Sequence, residues 1–140
     1  YAPIGATITT AKIADALEGE AGFYSTYGWH PAATDVAIRN IRWIVKHRTR
    51  LLRGVNALSD HFGERLASMR FRDPARLRIK GLAIGVESGD EKYLDKVTER
   101  CRQKGLLVTS AGNILTLFPP LTIDRETADE GLDILESSLR

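Results

Sequence analysis

The stretch Tyr24-Ser25-Thr26-Tyr27-Gly28-Trp29-His30-Pro31 sets two adjacent hydroxyls, a glycine and a histidine directly ahead of a helical pattern. Hydroxyls donate to phosphate oxygens and glycine lets backbone N–H groups come close, so the loop has the parts of a phosphate cradle. The same residues also describe a helix N-cap with a loop around it, and both readings stay open at this point. His30, beside Pro31, has the chemistry of a base or a metal ligand. His47 and His61 fall elsewhere along the helix that follows, so no ligand spacing emerges and no metal site is expected. A surface histidine is the preferred reading. Gly81, Gly85 and Gly89 do not form G-x-G-x-x-G and read as packing and turn residues. No G-x-S-x-G elbow occurs, and Cys101 falls on an apolar helical stripe, where it reads as a small buried hydrophobe.

The elements that must position these residues follow from periodicity. Ala33, Val36, Ala37, Ile41, Ile44 and Val45 keep three-and-four spacing, and Leu51, Leu52, Val55, Leu58, Phe62, Leu66 and Met69 continue it. Residues 32–70 are therefore predicted as one long helix bent near His47-Arg48-Thr49, or as two in succession. Leu77–Glu87 alternates and then turns mostly apolar, which predicts a strand half-covered by helices. Leu94, Val97 and Cys101 mark a helix over 90–104 closed by Gly105, and Leu106–Thr109 reads as a short strand. Ala111-Gly112-Asn113 turns the chain into a strand over Ile114–Phe118 that stops at Pro119-Pro120. Asp124 caps a final helix with the stripe Ala128, Leu132, Leu135, Leu139. The expected class is α/β, with helices on one face of a small, at least partly antiparallel sheet.

A chain of 140 residues with 43% hydrophobic and 27% charged residues is a globular domain, not a disordered, collagenous or membrane chain. A single cysteine excludes an internal disulfide and makes a cytoplasmic setting the expectation. No apolar run reaches the roughly 18 residues of a membrane helix, so no membrane partner is expected, and no targeting signal is visible. The one methionine is Met69, and the chain opens with Tyr1-Ala2-Pro3-Ile4-Gly5 running into a β-rich stretch over Ala6–Thr10; it reads as cut from something longer. The net charge of +2 conceals −3 over residues 1–35, +9 over 36–80 and −4 over 81–140. The basic belt suits a nucleic-acid surface, but periodicity puts it mainly on the solvated side of the long helix. Clustered aromatics and a recognition motif are both absent, so nucleic acid is not the expected partner.

Five blocks in order, Tyr1-Ala2-Pro3-Ile4-Gly5-Ala6, Ser25-Thr26-Tyr27-Gly28 with Pro31, Gly81–Glu87, Gly105–Val108 and Pro119–Ile123, resemble class III aminotransferases, the pyridoxal-phosphate enzymes that include ω-amino transaminases. The resemblance covers essentially the whole chain and matches the C-terminal third of such an enzyme, a fold-type I transferase. It implies that residues 1–30 end the large cofactor-binding domain, 31–70 form the helical connection and 71–140 the small C-terminal domain. It implies a homodimer with active sites shared between subunits, and transfer of an amino group from an amine or amino acid donor to a 2-oxo acid. The family's Schiff-base lysine lies ahead of the block that begins at Tyr1, so no catalytic residue is assigned here, and the chain alone is expected to be inactive. The S-T-x-G threonine donates to the cofactor phosphate of the neighbouring subunit, which gives Thr26 that role with Ser25 beside it. Trp29-His30 departs from the usual Gly-Asn before the proline. Many 2-oxoglutarate users carry a carboxylate-gripping arginine two residues before the position of Phe118; here that residue is Thr116, the substrate-side candidate. A non-catalytic interaction module and, further off, a nucleic-acid-binding domain are the competing classes.

Overall fold

The computed structural model describes residues 4–19, 26 and 28–140. The chain divides into two compact units, Tyr1–Arg48 and Thr49–Arg140.

In the first unit the β-rich residues 6–10 form no strand and lie exposed, which corrects the reading from composition. Strand formers without a partner strand have no ladder to join. The Thr10 carbonyl instead accepts the N–H groups of Ile13 and Ala14 at 3.0 and 3.1 Å and opens a short helix, α1 (Ala11–Asp15), that the periodicity missed. The second helix, α2, runs without interruption over Pro31–Ser68, so two helices in succession do not form. Pro31 takes the first position, where a missing N–H costs nothing. His30 closes the end: its carbonyl accepts from Thr34 N–H at 3.0 Å and its ring Nδ1 from Ala33 N–H at 3.4 Å. Of the predicted stripe in this half of α2 only Ala33 is buried, whereas Ile41 and Val45 are 61% and 67% exposed.

In the second unit a four-stranded sheet in the order β1-β2-β4-β3, antiparallel throughout, is built from β1 (Arg76–Lys80), β2 (Ala83–Glu87), β3 (Thr109–Ala111) and β4 (Ile114–Leu117). The single strand expected over 77–87 is thus a hairpin. Gly81, at φ +57, reverses the chain between Lys80 and Ala83, a conformation side-chain-bearing residues avoid. The strand expected over 106–109 forms later, at 109–111, because only those residues meet β4 in register, Thr109 opposite Thr116 and Ala111 opposite Ile114. Phe118 falls just outside β4.

One face of the sheet is covered. Ile84, Val86, Leu115 and Leu117 join Phe62, Leu66 and Met69 of α2, Leu94, Val97 and Cys101 of α3 (Glu91–Gln103), and Ala128, Leu132 and Leu135 of α4 (Arg125–Ser138) in one core. Both later helices start as expected: Asp90 accepts from Tyr93 N–H at 3.1 Å and Asp124 from Thr127 N–H at 2.8 Å.

A polar clamp ties α2 to α4 beside this core. Buried His61 contacts Asp129 through Nε2 at 2.6 Å, and Arg125 Nη2 lies 3.2 Å from His61 Nδ1. A guanidinium can only donate, so Nδ1 accepts and the ring proton sits on Nε2, donated to Asp129. Arg65 adds bonds to Asp129 at 3.0 Å and Asp133 at 2.6 Å. The hydrogen bond from His61, with the charges of Arg65 and Arg125, holds the Asp129 carboxyl below the ordinary carboxylate range.

Two expectations follow. Gly81→Ala strains a left-handed residue and brings a Cβ to 3.2 Å from Val55 Cγ1, whereas Gly89→Ala meets nothing within 4 Å. Urea unfolding should show a loss of about 1–2 kcal/mol for the first and little change for the second. A carboxyl whose folded-state pKa is lowered stabilises fully above its unfolded pKa, about 4, and loses that contribution as pH falls through the folded value. Asp129→Asn should therefore lower stability at pH 7 and flatten the acid limb of the stability–pH curve. Two parallel acid limbs would sink the assignment; the slope from Asp124, held low by its bonds from Thr127, persists in both proteins.

Candidate cofactor and substrate contacts

Of the two hydroxyls singled out for phosphate, Ser25 lies outside the described residues, and Thr26 stands exposed in a turn ahead of α2. Gly28 and Trp29 continue the turn. Trp29 has φ 60 and is 93% exposed. A left-handed conformation costs an L-residue roughly 1–2 kcal/mol, and this is the position where the resembled pattern has glycine. The backbone demand has stayed while its usual residue has gone. His30, in place of asparagine, supplies an alternative capping acceptor through Nδ1. The capping reading of this loop is therefore realised by His30. Thr26, four residues ahead of the cap, is exposed, and its hydroxyl has the donor chemistry that a phosphate oxygen accepts.

The other histidines are engaged separately. His47 Nδ1 sits 2.8 Å from the Trp43 carbonyl with the two rings 4.5 Å apart, and His61 belongs to the α2–α4 clamp. Among the described residues no group of His, Cys, Asp and Glu is placed to hold a metal. Cys101 is fully buried and burial pushes its thiol up, which suits a core residue rather than a nucleophile.

Thr116 points to the uncovered face of the sheet, since its neighbours Leu115 and Leu117 enter the core. Its hydroxyl lies 2.7 Å from Thr109 Oγ1 and donates to the Thr109 carbonyl at 3.1 Å, so its one proton is used within the sheet. The register aligns Arg78, Gly85, Thr116 and Thr109 in one row across the four strands. Gly85 contributes no side chain, and the space above it is approached by a methyl of Ile114, 3.5 Å from where a Cβ would stand. The Arg78 guanidinium pairs with Glu87 on β2 and is half-exposed. Motif reasoning passed over Arg78. The available signal was the alternation of Arg76, Arg78 and Lys80 with Leu77 and Ile79, which puts three cations on one edge of the open face.

The sequence profile described as Aminotransferase class-III matches residues 2–139. The chain is 33% identical to the mitochondrial acetylornithine aminotransferase of Yarrowia lipolytica over 99% of its own length and 33% of that protein. It is 34% identical to a leucine/methionine racemase of Thermococcus litoralis, over 98% of its length and 33% of that protein. Among solved structures, a phospholyase from Arthrobacter in complex with phosphoethanolamine superposes with a TM-score of 0.73 at 26% identity, covering 94% of this chain and 34% of that one. The chain spans about a third of the length of the curated relatives it matches. With the profile running from end to end over the hairpin, the Thr26 turn and the Pro119-Pro120 block alike, the chain belongs to the class III aminotransferase family.

Proposed function

We propose that the whole protein is a pyridoxal-phosphate-dependent aminotransferase that moves an amino group from an amine or amino acid donor to a 2-oxo acid, and that these 140 residues are its C-terminal part. Residues 1–30 then complete the large domain, 31–70 connect, and 71–140 form the small domain. The observation that carries this reading is the exposed Thr26 at the head of α2 within a family match over residues 2–139. When bound, pyridoxal phosphate supplies an electron sink for negative charge developing on the substrate carbon, and the protein supplies orientation and electrostatics. Thr26 would donate its hydroxyl hydrogen to a phosphate oxygen of the cofactor held by the other subunit of a homodimer, with Ser25 as the neighbouring hydroxyl in sequence. The Schiff-base lysine belongs to the rest of the protein; Lys12, Lys46, Lys80, Lys92, Lys96 and Lys104 match no motif position for it. No described helix is long and apolar enough to cross a membrane, and we place the protein in the cytoplasm, the mitochondrial yeast relative being the competing case.

Thr116 bears on the acceptor. A hydroxyl already donating to Thr109 brings no charge and cannot grip a carboxylate bidentately as a guanidinium does. The protein then prefers pyruvate or another small acceptor to 2-oxoglutarate.

In the full-length enzyme a hydrogen bond to charged phosphate contributes roughly 1.5–3 kcal/mol, so Thr26→Ala should weaken cofactor retention about ten- to a hundredfold with the fold intact. Unchanged retention removes Thr26 from the site. Transamination assays with pyruvate and 2-oxoglutarate should show higher kcat/KM for pyruvate, and Thr116→Arg should shift the ratio toward 2-oxoglutarate. A strong wild-type preference for 2-oxoglutarate refutes the acceptor assignment, and absence of transamination with any 2-oxo acid refutes the reaction.

A further inference from the structure

We propose that the concave surface lined by Arg70, Arg72, Lys92, Lys96, Arg100 and Arg140 binds a small ligand carrying two or more linked phosphate groups. The hollow measures about 630 Å³, within the size range of small-molecule sites. Its cations come from three parts of the chain: the segment after α2, one face of α3, and the residue at the end of α4. Lys92, Lys96 and Arg100 are spaced by four and so form a single stripe along α3. Like charges at that spacing disfavour the helix unless something neutralises them.

Of the three acids of α3, Glu91 neither lines the hollow nor pairs with these cations, and the other two are engaged elsewhere. Asp95 accepts from Ser110 at 3.0 Å, and Glu99 is engaged by Arg102 and Gln103 at 2.7 and 3.0 Å. Asp90 is the one acidic side chain lining the hollow, and it is shared between the Tyr93 N–H, which it caps, and Arg72 at 3.3 Å. Among the described residues Arg70, Lys92, Lys96, Arg100 and Arg140 form no ion pair. The floor is built rather than loose. The buried Tyr93 hydroxyl donates to the Leu139 carbonyl at 2.9 Å and accepts from Arg72 N–H at 3.4 Å, and Arg100 donates to the Ser138 carbonyl at 3.2 Å.

Six cationic side chains against the carboxylate of Asp90 and the α-carboxylate of Arg140 leave the hollow net positive, and a ligand concentrating several negative charges in little volume relieves it best. A monoanion neutralises too few. The one aromatic residue present, Tyr93, is buried with its hydroxyl used, so the site offers no stacking platform for a base. Recognition therefore stops at the phosphates, and inorganic tripolyphosphate and a nucleoside triphosphate should bind alike. None of the residues used in the proposed function enters this inference.

The test is calorimetric titration of the full-length protein with inorganic tripolyphosphate, ATP and orthophosphate at low salt, where charge interactions are least screened. Tripolyphosphate and ATP should bind with one site and similar affinity, orthophosphate much more weakly. Lys92→Ala/Lys96→Ala removes two exposed side chains with no structural partner and should weaken tripolyphosphate at least about tenfold with the melting curve unchanged. Arg48→Ala/Arg50→Ala on α2 removes the same net charge elsewhere and should change affinity by less than about twofold. No binding, or equal weakening by both pairs, overturns the site. Orthophosphate binding as tightly as tripolyphosphate overturns the requirement for linked phosphates. ATP binding far more tightly than tripolyphosphate overturns recognition by phosphate alone, and a short single-stranded oligonucleotide outcompeting tripolyphosphate assigns the surface to nucleic acid instead.

Discussion

Ile84, Val86, Leu115 and Leu117 have to leave water together, and most of the second unit is arranged to let them. Alternation along β2 and β4 puts all four on one side of the sheet, so a single layer of helices suffices to cover them. The stripe of α3, the stripe of α4 and the end of α2 each supply a strip of that layer. Burial of one sheet face also fixes register. A slip by one residue would send the core side chains to solvent and bring Gly85, Thr116 and Glu87 inward, two of them polar. The uncovered face is thereby assigned its residues before any functional demand is made of it.

The polar clamp of His61, Arg65, Arg125 and Asp129 acts along the edge of this core. Its Coulomb attraction is modest where the groups are partly exposed to water. Its directionality matters more: an arginine on one side obliges His61 to present its single proton to the aspartate on the other. That arrangement holds α4 at one rotation about its own axis, the rotation at which Ala128, Leu132 and Leu135 face inward.

Local signals carried the sequence reading well where one residue decides the outcome. Asp90 and Asp124 capped helices as expected, and the apolar spacing of α3 and α4 named their buried faces. The reading failed where a partner decides. Gly81 looked like one glycine within a continuous apolar run, because its positive φ exists only once β1 and β2 pair. The third strand shifted from 106–109 to 109–111 because pairing with β4, rather than the apolarity of Leu106-Leu107-Val108, sets where a ladder begins. The stripe of α2 was legible throughout, yet among the described residues of the first unit nothing covers Ile41 or Val45, an exposed apolar face of the kind that marks a contact surface. At the candidate site the Thr26 block was legible as a motif. The Arg78–Thr116 alignment and the His61–Asp129 pair were not, since they join residues 38 and 68 positions apart by contacts that no local pattern encodes.

At Gly85 only an uncharged Ile114 methyl approaches the row, so no charged or polar side chain separates positions 78 and 116. Strands lie about 4.8 Å apart, so two residues flanking one strand stand about 10 Å from each other, within reach of long side chains that lean together. With Arg78 already on the open face beside Glu87, a second guanidinium at 116 would enter a positive field with only one carboxylate to share. The charge of this row is then shared among positions 78, 87 and 116. A redesign that alters position 116 and leaves Arg78 and Glu87 untouched changes the net charge of the row as well as its shape, and the three residues have to be varied as a set.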